Sequence, residues 1–293
     1  MSQLGADPTA RTEGLRTSAP GNAIAAGPAR GAVKRGPRNT GPRSLRGTAI
    51  LGGAILPLLL LIAWQAATSL GFVNESQFPS PESVFLAGVD LAERGQLGLY
   101  VAISTQRVLI GFAIGASIGL LIGAIVGLSR TWNVLLAPTL GGIRAVPSLA
   151  WVPLLILWLK IGEESKITLI AIGAFFPVYT TVAAALRHVD RQLVEAGRAF
   201  GLNGVKLFLT VQLPAVLPSV IAGLRLALAQ AWLFLVAAEL IAASMGLGFL
   251  LSDSGNNGRT DRIFLAILLL AVLGKTTDAV LGVFEKLASR RWS

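Results

Sequence analysis

The chain has 293 residues, of which 53% are hydrophobic and only 14% charged, with a mean hydropathy of +0.68. An ordinary soluble domain carries about 25% charged residues, so an ordinary soluble domain is excluded. The absence of cysteine and the single histidine, His188, exclude disulfides, thiolate chemistry and Cys/His metal sites.

Residues 1–46 hold seven glycines, five prolines and eight Arg/Lys against two acids, Asp7 and Glu13. Such a segment buries too little apolar surface to offset its ordering entropy, which predicts a disordered basic tail. Its charge is taken as a topology signal beside the first span, not as a nucleic-acid-binding surface. The first predicted span covers residues 47–70 and contains Pro57. It is too long for the apolar core of a signal peptide and is expected to be retained. Residues 71–94 carry Glu75, Glu82, Asp90 and Glu93 against Arg94; they suggest an external segment with a short amphipathic helix after Pro81.

The second predicted span, 100–128, has glycines at 111, 115, 119, 123 and 127. A spacing of four puts them on one helix face, where a neighbouring backbone can approach closely. The third, 134–159, contains Pro138, Pro147 and Pro153; each proline removes a helix hydrogen bond, so this span must bend and its freed carbonyls need protein partners. The fourth is 167–186, the fifth 217–241 and the sixth 263–287. Between the last two, a mixed apolar and glycine-rich stretch is too short to cross and suits a re-entrant or surface-lying loop, with Asp253–Arg262 expected at the external mouth.

Six spans place both termini on one side. Sixteen Arg and Lys fall in the proposed inner segments and five (Arg94, Lys160, Lys166, Arg259, Arg262) in the outer ones. The excess of basic residues on inner segments therefore predicts cytoplasmic termini, including residues 289–293, and a cytoplasmic loop at 187–214.

That loop is a polar island between apolar runs: E-A-G-R-A-F-G-L-N-G-V-K-L-F-L-T-V-Q-L-P from Glu195 to Pro214. Asp190 is a good N-cap and Gly201 a natural C-terminal stop. Asn203 is placed to cap a second short helix that Pro214 ends, so two short helices are expected on the membrane face. Glu195, Ala196, Gly201, Leu213 and Pro214 resemble, at the family spacing, the coupling loop of ABC-importer permeases. Gly197 stands where that family has a second alanine, and Val211 where it has isoleucine. Arg144 to Leu154, R-A-V-P-S-L-A-W-V-P-L, resembles the third span of the same family.

The resemblance covers residues 95–288. It implies an all-α integral membrane protein of six transmembrane helices with a cytoplasmic coupling helix, the type I ABC-importer fold, in the cytoplasmic membrane. It further implies a working unit of two copies of this chain, two ATP-binding subunits that carry ATP and Mg, and an external substrate-binding protein. No catalytic residue and no cofactor are expected on this chain, and no nucleic acid among its partners. Ser252–Leu281 is similar to the branch that imports aliphatic sulfonates, taurine and nitrate, with aliphatic sulfonate nearest.

Charged residues within the spans are costly without a partner or water. At about 1.5 Å per residue, Arg144, Arg225 and Lys275 share mid-membrane depth. Two readings stand for them: a pathway favourable to an oxyanion, or ion pairs between helices. Asp278 can neutralise one of the three, while Arg107 and Glu239 lie at similar outer depth and are candidates to pair. Lys275 with Asp278 would also suit an ion-coupled secondary carrier, the rival from another class. Gly274-Lys275-Thr276 spells the end of a phosphate-binding loop, but Leu269 stands where that motif needs glycine.

Overall fold

The computed structural model describes residues 45–292. The predicted disorder of residues 1–46 falls almost wholly outside them. Among the described residues the chain is helical: α1 (Leu45–Ser69), α2 (Pro81–Glu93), α3 (Gln96–Leu128), α4 (Arg130–Ala145), α5 (Trp151–Leu159), α6 (Glu163–Arg187), α7 (Arg191–Ala199), α8 (Gly204–Leu207), α9 (Leu213–Ala242), α10 (Leu247–Asn256) and α11 (Thr260–Trp292). Four stretches are long and apolar enough to cross a bilayer as single helices: Gln96–Leu128, Glu163–Arg187, Gly204–Ile241 and Thr260–Leu287. Ile55–Ser69 of α1 is a shorter apolar helix.

Two expectations about helix continuity are corrected. The third span is not one bent helix. It breaks at Pro147, between α4 and a single 3-10 turn, Ser148–Ala150, that leads into α5. Proline disfavours helical backbone in the residue before it, and Val146 is extended (φ −68°, ψ 126°). Pro138 and Pro153 stay inside helices. Nor does Pro214 end a second short helix. It lies in the first turn of α9, and α8 runs into α9 through a π-helical turn, Phe208–Gln212. There the Leu213 amide donates five residues back, to the Phe208 carbonyl. The wider turn makes room for the proline ring, whose clash with the fourth preceding carbonyl would otherwise kink the helix.

The core is a three-helix bundle of α3, α6 and α9, with Ile170, Val178, Ala231 and Leu235 among its fully buried side chains. The glycine row of α3 faces α6. A Cβ at Gly115 would collide with the Ala171 carbonyl oxygen, at Gly119 it would lie 2.9 Å from the Phe175 oxygen, and at Gly123 2.9 Å from Val182 Cβ. The two helices thus approach closely along the second half of α3, and the row is a packing device.

At one end of this bundle, α2 begins as expected after Pro81. The Ser80 hydroxyl accepts from the Ser83 amide, and Val84, Ala87 and Leu91 are buried. Leu91 joins Leu250 of α10 and Ala266 of α11 in a small second core. Asp90 ties α2 to α11 by accepting from Arg262 Nη2 at 3.0 Å. A hydrogen bond from Arg94, more than the one from Arg262, holds the Asp90 carboxyl below its ordinary range. The Asp253–Arg262 segment is more ordered than a loop: its first four residues end α10, which buries Ser254 and leaves Asn256 exposed, and its last three open α11.

Candidate functional site

Four polar constellations stand apart from the apolar core: the loop between α6 and α9, a cleft between α9 and α11, an ion network around Arg107, and a cavity walled by α4, α6 and α9.

The loop opens at Asp190, whose carboxylate accepts from the Gln192 amide at 2.8 Å and caps α7. Helix α7 closes with a left-handed residue, Gly201 (φ +78°). The Gly201 amide donates to Arg198 O at 2.9 Å, and the Leu202 amide to Gly197 O at 3.1 Å. That pair of bonds satisfies the last carbonyls of α7 and turns the chain sharply. Gly197 is buried because Leu207 sits on it: a Cβ there would lie 2.7 Å from Leu207 Cδ1 and 3.1 Å from Val211 Cγ2. The departure from alanine at 197 is therefore a packing adjustment to Leu207. Glu195 stays exposed and accepts from Arg191 Nε at 2.7 Å. Phe200 is 87% exposed and Val205 72%. Charged and apolar side chains of this loop are thus exposed together. Ala196, Leu213 and Pro214 complete the motif, Leu213 and Pro214 at the root of α9.

The α9–α11 cleft, about 810 Å³, runs from Pro214 to Lys275. In it Arg225 donates to both oxygens of Asp278, at 2.7 and 2.8 Å, and to Glu285 at 2.8 Å. Lys275 is 81% exposed and lies 3.8 Å from Asp278. Arg225 is thereby corrected from an under-neutralised cation to a doubly paired one. No motif points to Glu285, although its seven-residue spacing from Asp278 puts both on one face of α11. The Gly-Lys-Thr run lies within α11, where Thr276 Oγ1 donates to Val272 O at 2.7 Å, so it forms no phosphate loop.

Arg107 and Glu239 come together. Arg107 Nη1 donates to Glu239 Oε1 and to Met245 O, each at 2.7 Å, and its other nitrogens grip Glu163. The buried Glu239 carboxylate also accepts from Ser104 Oγ at 2.9 Å and from the Gly248 amide at 2.8 Å, while the Leu247 amide donates to Ser104 Oγ. Every charge here is answered, and α3, α6, α9 and the start of α10 are locked together. Glu163, at the first turn of α6, and Ser104 carry no motif that would single them out.

Arg144 is elsewhere. It lines a cavity of about 520 Å³ with Pro147, Thr180, Gln230 and the rings of Phe176 and Phe234. Among the described residues its guanidinium has no hydrogen bond or ion pair. The three cations grouped by depth thus divide between two cavities, and they differ in how they are paired.

Residues 111–290 match the model for the binding-protein-dependent transport system inner membrane component. The chain belongs to that family. It is 44% identical over 232 residues to the putative aliphatic sulfonates transport permease protein SsuC of Escherichia coli (strain K12), covering 79% of this chain and 88% of that protein. It is 33% identical over 236 residues to the taurine transport system permease protein TauC of the same organism, covering 79% and 86%. A solved structure of the MetNI methionine ABC transporter in an inward-facing conformation superposes with a TM-score of 0.58 at 20% identity, covering 64% of this chain and 94% of that one. The fold is that of a type I ABC-importer permease, and the chain is a membrane-spanning transport subunit.

Proposed function

We propose that this permease carries an aliphatic sulfonate inward across the cytoplasmic membrane, driven by ATP hydrolysis on a separate subunit. The observation that carries the reading is the Asp190–Pro214 loop, a capped and sharply turned helix that presents Glu195, Phe200 and Val205 to a partner. In this reading two copies of the chain form the pathway, and two ATP-binding subunits with ATP and Mg engage the two loops. An external binding protein delivers cargo to the end bearing α2 and α10. The excess of basic residues in the tail and around the loop supports cytoplasmic termini.

The cargo assignment is supported by the 44% identity to a putative sulfonate permease. Taurine, an aminoalkanesulfonate, is the second reading, favoured by the 33% relative. The carrier alternative loses support because Asp278 is engaged by Arg225 in a bidentate pair and is not left as a free ion-coupling carboxylate.

The test is competition in vesicles containing the permease, its ATPase and its binding protein. Uptake of labelled ethanesulfonate should be suppressed by excess butanesulfonate and left nearly unchanged by equal nitrate. Nitrate uptake with no ethanesulfonate uptake would overturn the cargo.

A further inference from the structure

We propose that the cavity between α4, α6 and α9 is an alkanesulfonate-binding site within the membrane domain, with Arg144 as the head-group ligand. The inference rests on the cargo reading above and extends it to named residues. Its starting point is a contrast among three arginines at membrane depth. Arg107 is held by Glu163 and Glu239, and Arg225 by Asp278 and Glu285. Arg144 has no partner among the described residues. It lies fourteen residues past the start of α4, about 21 Å along the helix axis, and its side chain is exposed on the open side of the cavity, where an anion can reach it. A cation in the last turn of a helix also suits the carbonyl dipole there, but that partial charge leaves most of the guanidinium's five donors without an acceptor.

The surroundings match an amphiphilic anion better than a bare one. Gln230 of α9 lines the same cavity, and its amide also makes no hydrogen bond within the described residues. It adds two donors and an acceptor beside a guanidinium fork that fits two oxygens of a sulfonate. Thr180 also lines it, with its hydroxyl donating to the Phe176 carbonyl; most of the remaining wall is apolar, including Leu149, Ile172, Phe176, Leu226, Leu233 and Phe234. At about 520 Å³ the space lies within the ordinary range for small-ligand pockets, roughly 300–1,000 Å³. The chain break at Pro147 contributes to the site. By ending α4 one residue after Arg144 it opens the wall there, and Pro147 and Leu149 become part of the lining. A sulfonate is anionic throughout the physiological pH range, so its head would meet Arg144 while a short alkyl chain lies on the leucines and rings. An anionic phospholipid offers the same chemistry, an oxyanion head on an apolar tail, and the experiment below separates the two.

The experiment uses the full-length permease assembled with its ATPase in detergent, without the binding protein. Butanesulfonate should raise the melting temperature of the wild-type complex, sulfate should not, and Arg144→Gln should abolish the shift. In vesicles with the binding protein, Arg144→Gln should cut ethanesulfonate uptake by about tenfold or more, the loss expected for one charge-assisted bidentate contact. ATP hydrolysis stimulated by the loaded binding protein should persist. Arg144→Lys should recover part of the uptake, and Gln230→Leu should lower it with assembly intact. Absence of a butanesulfonate shift in the wild type would overturn the site, as would a shift produced by phosphatidylglycerol in its place. So would full-rate uptake by Arg144→Gln, or loss of assembly in that variant, which would make Arg144 a bridge between copies. Failure of the wild type to carry any sulfonate, with the melting shift present, would sink the cargo reading and leave the site standing.

Discussion

Gly115→Leu should prevent the permease from accumulating as a folded protein. The Cβ alone would overlap the Ala171 carbonyl oxygen, a backbone atom in the middle of α6 that no rotamer change can move. The two helices would have to separate, and they cannot do so locally. Gly119 and Gly123 hold α3 equally close to Phe175 and Val182 over the next two turns. Overpacking against adaptable side chains costs about 1–3 kcal/mol; against backbone, with the contacts of neighbouring turns also lost, about 3 kcal/mol or more is expected. Gly98, on the same helix with open space around it, is the control: Gly98→Ala should be neutral or stabilising by up to about 1 kcal/mol. Yield and melting temperature of the detergent-purified protein decide the matter. A Gly115→Leu protein that melts with the wild type would contradict the assignment of the row to helix packing.

Gly201→Val should separate folding from function. Its φ of +78° is a conformation that a β-branched residue occupies only under strain, about 1–2 kcal/mol. The open space around Gly201 means that the penalty is conformational and confined to the turn. The permease should therefore accumulate and melt nearly as the wild type does. The turn would instead relax and swing Phe200 and the end of α7 away from their present orientation. Co-purification with the ATPase should fall sharply, and uptake with it. Gly201→Asn, which tolerates the left-handed region, should keep most of both. Normal association in the valine variant would contradict the docking role of the turn.

Which parts of this molecule could be read from its sequence follows from how local each determinant is. The α3 row and the Asp190–Gly201 caps depend on spacings within one helix, and spacings survive in a linear string. So does the Glu195–Pro214 motif. Pro147 shows where that locality ends. Three prolines in 134–159 promise a distortion, yet only Pro147 ends a helix: Pro153 sits in the first turn of α5, where its missing N–H breaks no helical bond, and Pro138 stays inside α4. The charges are harder still. Arg225 meets Asp278 and Glu285 across 53 and 60 residues, and Arg107 meets Glu163 and Glu239 across 56 and 132. Depth alone groups Arg144 with Arg225, whereas the angular position of each helix divides them between two cavities. Rotation about a helix axis that is apolar on nearly every side leaves little trace in the sequence.

ATP-driven uptake in reconstituted vesicles is the decisive measurement for an ATP-coupled permease. Full-length permease would be incorporated with its ATPase, with binding protein and labelled ethanesulfonate supplied on one side and ATP with Mg on the other. The expected result is accumulation that requires ATP and stops when the ATPase is omitted. Accumulation without the ATPase, driven by an imposed ion gradient, would contradict ATP coupling and make the chain a carrier.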